Sequence, residues 1–280
     1  MFWLKLLIVG FDALDYETYR KIKPEGFKVY PLLSPDPFTP IAWTSIYTGS
    51  SKERHGVKDL DWGPWLSHGG LPKGNEYFWH VLNKRGFKVE LMNLPCTYPP
   101  TPVDRYMVSG FPLTGQFFSE AKSFTYPPDI EERLPKGYIE AMDMIHWREV
   151  YHHLAWKDWL LQMSVEELLS RIHENCSLLI DTFINLHSSE TDLGFIQFSF
   201  LDRTGHIRHG YPESLSLVNP LIEKLKHALE PENILIVSDH GEALHPQGHK
   251  KIGVFAVKGN LTPAPSVDKV AASILEMFNE

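Results

Sequence analysis

Ile234-Leu-Ile-Val-Ser-Asp239-His240-Gly241-Glu242 sits near the C-terminal end of the chain. Its first four residues are a continuous apolar run, the pattern of a strand buried on both faces. The run delivers an Asp-His pair at its end, and Gly241 then lets the backbone turn tightly. The start of the chain repeats this arrangement, with the apolar run Leu4 to Gly10 leading into Asp12. Asp and His therefore stand where two buried strands end.

Outward from these two runs, residues 4–57 read as strand, helix, strand, loop, helix. Tyr16 to Lys23 is polar with helical spacing and stops at Pro24, and Phe27 to Leu33 is a second short strand. Thr39-Pro40 opens a helix that ends at Thr48-Gly49, with Pro early and Gly just past the end as helix termini favour. Lys88 to Asn93 reads as a further core strand. Val165 to Leu186 reads as a long amphipathic helix with Leu168, Leu169, Ile172, Leu179, Ile180, Phe183 and Leu186 on one side. From Gly194 the alternation returns: strand 194–200, helix 213–229, strands 233–238 and 252–257, and a last helix 266–278. Strands alternating with helices predict a single α/β domain, a three-layer αβα sandwich around a central, mostly parallel sheet. Prolines, Trp, His and Tyr crowd the middle of the chain, and about 110–165 is expected to be a modest cap or insert.

Composition narrows the function. At 280 residues the chain can bury a large core. The formal charge of −8 argues against a general nucleic-acid or anionic-membrane binder. Its two cysteines, Cys96 and Cys176, stand far apart and imply a reducing compartment. No segment reaches the ~20 apolar residues of a membrane span. The N-terminus reads as a first strand without a cleavage site, so a cytoplasmic protein is expected.

Four short segments carry the chemistry: Asp12; Asp202 with His206; Asp239 with His240; and His249. Carboxylate oxygen and neutral imidazole are the donors that zinc and similar divalent ions prefer. Six such residues can form two three-ligand sites with an open position on each ion, which is what a metal-dependent hydrolase needs. The spacing Asp202-Arg-Thr-Gly-His206 brings both side chains to one face of a helical turn. Each element alone has a plainer reading: a capping Asp, a strand-end turn, a surface histidine. Their coincidence carries the inference. Thr39 is the candidate nucleophile, placed at a helix N-terminus whose free N–H groups favour a phosphate, although Thr there also serves as an ordinary N-cap.

The chain resembles the alkaline phosphatase superfamily, in particular its type I phosphodiesterase/nucleotide pyrophosphatase branch and related predicted phosphohydrolases. The matching segments are G-F-D-A-L-D at 10–15, F-T-P-I-A-W-T-S-I-Y-T-G at 38–49, R-H-G-V at 54–57, D-R-T-G-H at 202–206, V-S-D-H-G-E at 237–242 and G-H-K-K-I-G-V-F-A at 248–256. T-Y-P-P-T-P-V at 97–103 and M-V-S-G-F-P at 107–112 are similar to the predicted phosphohydrolases.

The resemblance implies a two-metal phosphohydrolase, most of all a phosphodiesterase, acting on a small phosphate ester through a phospho-Thr39 intermediate. It implies that Asp12, Thr39, Asp239 and His240 hold one ion, and Asp202, His206 and His249 the other. His245 competes for the last place, but His249 directly precedes a strand as the family's ligand does. Two divalent ions are expected, zinc by the donor set, with manganese as the alternative. After His55-Gly56 the chain lacks the Asn with which nucleotide pyrophosphatases contact a phosphoryl oxygen. A phosphomutase of the same superfamily, and a non-catalytic binding protein that keeps the fold, are the competing readings. The latter predicts a lost ligand, yet a candidate stands at every position. Trp147, Tyr151, His152, His153, Trp156 and Trp159 read better as a buried helix face than as a stacking surface. Arg203, Arg208, Lys250 and Lys251 are candidates for reading a second phosphate.

Overall fold

The computed structural model describes residues 4–58, 75–110, 123–138, 163–207, 210–244 and 248–279. Its frame is one eight-stranded sheet: β1 (Leu6–Phe11), β2 (Lys28–Leu33), β3 (Val89–Leu94), β4 (Tyr106–Ser109), β5 (Thr125–Tyr126), β6 (Leu193–Phe198), β7 (Asn233–Ser238) and β8 (Ile252–Lys258). The spatial order is β2-β8-β7-β1-β6-β3-β4-β5. Strands β7, β1, β6, β3 and β4 pair in parallel, while β8 runs against its neighbours β7 and β2, and β5 runs against β4. The mostly parallel sheet is as the sequence predicts.

The helices are α1 (Tyr16–Ile22), α2 (Thr39–Thr48), α3 (Lys52–His55), α4 (Phe78–Lys84), α5 (Ile130–Arg133), α6 (Val165–Leu186), α7 (Phe200–Ile207), α8 (Tyr211–Leu229) and α9 (Val270–Met277). Alternation along β1 shows the layering. Leu6 and Ile8 pack with Trp43 and Ile46 of α2, Trp79 of α4 and Ile274 of α9. Leu7, Val9 and Phe11 pack on the opposite face with Tyr19 of α1, Phe183 of α6 and Leu221 of α8. Such continuous burial is why β1 and β3 are apolar throughout, with the exceptions of Glu90 and Asn93. Among the described residues no helix is long and apolar enough to cross a membrane.

Several boundaries differ from the sequence reading. The strand expected at 194–200 ends at Phe198, and Phe200 opens α7, so Asp202 and His206 share one helix. Most of the expected cap, at 111–122 and 139–162, lies outside the described residues, as do all six of its aromatic and His candidates. Its described part, 123–138, adds β5 to the sheet edge and the short α5.

Candidate metal centre

One rim of the sheet gathers every segment singled out above. β1, β6 and β7 run parallel, so the residues that follow them emerge at the same edge. β8 runs the other way, so the residues that precede it return to that edge. Asp12 follows β1, Asp202 follows β6, Asp239 and His240 follow β7, and His249 precedes β8. This is the crevice at strand ends where open α/β sheets bind ligands.

Local features fix each side chain. Asp12 continues the ladder, its N–H donating to the Phe198 carbonyl at 2.9 Å. The chain then turns through Ala13, held at φ +65° in the left-handed region, a conformation that costs a non-glycine residue ~1–2 kcal/mol. Ser238 joins two strand ends: its hydroxyl accepts from Leu14 N–H at 2.8 Å and donates to the His240 carbonyl at 2.7 Å. Asp15, not Asp12, caps α1 by accepting from Thr18 N–H. At α2 the N-cap is Phe38 and no side chain caps the helix. Thr39 is thus the first helical residue, with its hydroxyl free of a capping role. Thr39 Oγ1 lies 3.4 Å from Asp12 Oδ1 and 3.3 Å from His240 Nε2.

Two groups result. In the first, His240 Nε2 is 3.3 Å from Asp12 Oδ1 and 3.1 Å from Asp239 Oδ2, with Thr39 alongside. In the second, Asp202 Oδ1 is 3.3 Å from His206 Nε2 and 3.1 Å from His249 Nε2, and the two imidazole nitrogens are 3.1 Å apart. His240 stands between the groups, its ring centroid 4.1 Å from that of His249. It is also within reach of the second group, since donor atoms of Asp202, His240 and His249 all lie within 4.8 Å of one another. The sequence did not foretell this shared position. His245 lies outside the described residues.

The donor set suits cations on chemical grounds. His240 Nδ1 faces the Gly241 carbonyl and His249 Nδ1 the Pro37 carbonyl, both at 2.9 Å. A carbonyl only accepts, so each Nδ1 carries the proton and each Nε2 turns a lone pair toward the carboxylates, the tautomer a metal ligand requires. Asp239 Oδ2 is fully buried and has no hydrogen-bond partner among the described residues. Lone pairs that close together repel unless positive charge lies between them.

The ionisation behaviour follows the same imbalance. Burial, then the negative charge of Asp202, pushes the Asp12 carboxyl up to about 7. Burial and the neighbouring Asp12 and Asp202 also raise Asp239 well above the usual carboxylate range. Burial raises Asp202 too, but the adjacent His206 and His249 outweigh it and hold that carboxyl well below its usual value. Burial, then the nearby charge of His249, brings His240 down to about 3, so it is neutral at physiological pH.

Some neighbours escaped the sequence reading. Ser238 gave no signal beyond its place before the Asp-His pair. Lys250, a candidate phosphate reader, instead places Nζ 2.8 Å from Glu242 Oε2 and 3.4 Å from Asp15 Oδ2. Arg203 lies close enough to Asp12 for its charge to stabilise that carboxylate, while Arg208 is outside the described residues.

The fold is a three-layer α/β fold of the alkaline-phosphatase type. The chain superposes over its whole length on 99% of the alkaline phosphatase from the Antarctic bacterium TAB5, with TM-score 0.57 and 11% identity. It also matches the phosphonate monoester hydrolase of Agrobacterium radiobacter with TM-score 0.58 and 10% identity, covering 98% of this chain and 73% of that one. At such identities the likeness concerns the fold. No curated protein sequence matches the chain. The family model for type I phosphodiesterase / nucleotide pyrophosphatase matches residues 22–257, and the chain belongs to that family. It is a phosphoric ester hydrolase.

Proposed function

We propose that this protein is a two-metal-dependent phosphodiesterase whose nucleophile is Thr39. The observation that carries the reading is the convergence of Asp12, Thr39, Asp239, His240, Asp202, His206 and His249 on one rim, with their oxygen and nitrogen atoms 3.1–3.4 Å apart. Asp12, Thr39, Asp239 and His240 would hold one ion, and Asp202, His206 and His249 the other. Bound there, divalent ions supply the charge that offsets three carboxylates, lower the pKa of a hydroxyl and bind phosphoryl oxygens. Zinc fits the Asp/His donors best, with manganese second.

The chain's own groups account for the rest. Thr39 Oγ1 can pass its proton to Asp12 Oδ1, the carboxylate oxygen to which it donates. No side chain caps the start of α2, where Thr39 stands, and helix N-termini favour phosphate. Attack by Thr39 Oγ1 forms a bond to phosphorus as the bond to one ester oxygen breaks, and that oxygen takes up a proton from solvent and departs as the alcohol. Water then attacks phospho-Thr39, releasing a phosphate monoester and restoring the hydroxyl. Burial of Asp12, Asp239 and His240 strengthens each electrostatic contact in this sequence. The substrate class is a small phosphate diester, as family membership favours.

The test compares hydrolysis of bis-p-nitrophenyl phosphate and p-nitrophenyl phosphate, with zinc and with manganese, by wild type and Thr39→Ala. The diester should be preferred, and the variant should lose at least about a thousandfold in kcat/KM, or roughly 4 kcal/mol of transition-state stabilisation, while still binding metal. Cleavage of neither ester by a metal-loaded wild type would favour a phosphomutase or a binding protein.

A further inference from the structure

Between β7 and β8 the chain folds back as a two-stranded ribbon. Gly241 N–H donates to the Lys250 carbonyl at 2.9 Å, Lys250 N–H to the Glu242 carbonyl at 3.0 Å, and Ala243 pairs opposite His249. His240 and His249 thus flank the base of one ribbon. Lys250 closes this base with its side chain, reaching Glu242 Oε2 on the ribbon and Asp15 Oδ2 in the turn after β1. Asp15 is buried, and its other oxygen accepts from Thr18 N–H and Oγ1. Gly241 lies in the gap: a Cβ there would come within 2.9 Å of Lys250 Cβ and 3.0 Å of Asp15 Oδ2. One ammonium therefore ties together the segments that carry Asp12, Asp239-His240 and His249.

We propose that Lys250 is a positioning residue that sets the spacing between the Asp239-His240 strand end and His249 through its contacts with Glu242 and Asp15. The inference rests on the two-metal reading above. It removes Lys250 from the candidates for binding a second phosphate, because two carboxylates already neutralise it. Lys251, next in the chain, is exposed and serves as the control for loss of a nearby positive charge.

Charge and position make opposite predictions here. If Lys250 acted only as a charge near the site, removing it would strengthen cation binding. If it positions the ligands, removing it weakens binding, as loss of a supporting partner typically costs about 10–100-fold in metal affinity. The experiment is a Co2+ titration of the metal-free protein, followed by the visible absorption of the bound ion, for wild type, Lys250→Met, Lys250→Arg, Glu242→Gln and Lys251→Met. Lys250→Met and Glu242→Gln should each raise a Co2+ Kd at least about tenfold and alter the absorption band. Lys250→Arg should restore the wild-type band, and Lys251→Met should bind at least as tightly as wild type. A wild type that binds two cobalt ions while Lys250→Met matches or exceeds its affinity would overturn the positioning role alone. A wild type that binds no cobalt would overturn the two-metal reading and this inference with it.

Discussion

Thr39 differs from the other hydroxyls of its helix in what it touches. Thr44, Ser45 and Thr48 donate to the carbonyls of Pro40, Ile41 and Thr44, one turn earlier, as hydroxyls within a helix do. At the first helical position no such carbonyl exists, and the Thr39 hydroxyl turns to Asp12 and His240 instead. Identity of the atom should therefore matter more than its methyl group. Thr39→Ser should keep diester hydrolysis within about tenfold of wild type, the scale of a lost methyl contact rather than of a lost nucleophile. A Ser variant as inactive as Thr39→Ala in the same assay would count against a direct role for the hydroxyl. Asp12, Asp239 and His240 were legible because each ends a buried apolar run, where a polar residue needs a reason. The tautomers were not, since they depend on the Gly241 and Pro37 carbonyls, which any residue could supply.

Among the elements, α2 matters most because it carries Thr39 against the sheet. It is buried from Pro40 to Tyr47 and ends in a left-handed Gly49 whose N–H returns to the Ser45 carbonyl. The contact beneath it is Gly10 of β1, where a Cβ would lie 2.8 Å from the tip of the Trp43 ring and 3.1 Å from Gln197 Cγ. Gly10→Ala should force the helix outward, costing about 1–3 kcal/mol by overpacking and shifting Thr39 from its partners. Urea denaturation and kcat for the diester measure both effects, and an unchanged kcat would mean that α2 does not set the nucleophile. Boundaries of such elements were readable where punctuation was strong, as at Pro40 and Gly49. They slipped at Phe198–Phe200, where an aromatic-rich strand runs into α7 with no Gly or Pro to separate them. The short β4 and β5 carry too few residues to show a period, and were missed as strands for that reason.

For the whole molecule, the parallel frame was legible because buried strands and helices alternate along the chain. The reversal of β8 was not, since direction depends on the ribbon that precedes it and not on the composition of the strand. That reversal is what brings His249 to the same rim as Asp12 and Asp239. The most direct test of the two-metal site is therefore a count of bound zinc by competition titration of the metal-free protein, at about pH 5.5 and about pH 7.5, with Asp239→Asn and Asp202→Asn beside the wild type. Wild type should bind two ions per chain, and each variant should lose or severely weaken one. Because Asp12 holds its proton up to about 7 and Asp239 is also raised, a cation must displace those protons at the lower pH, so affinity should rise between the two pH values. His240, already neutral above about 3, adds nothing to this slope. A wild type that binds one ion or none, or affinities that do not change between the two pH values, would contradict the account.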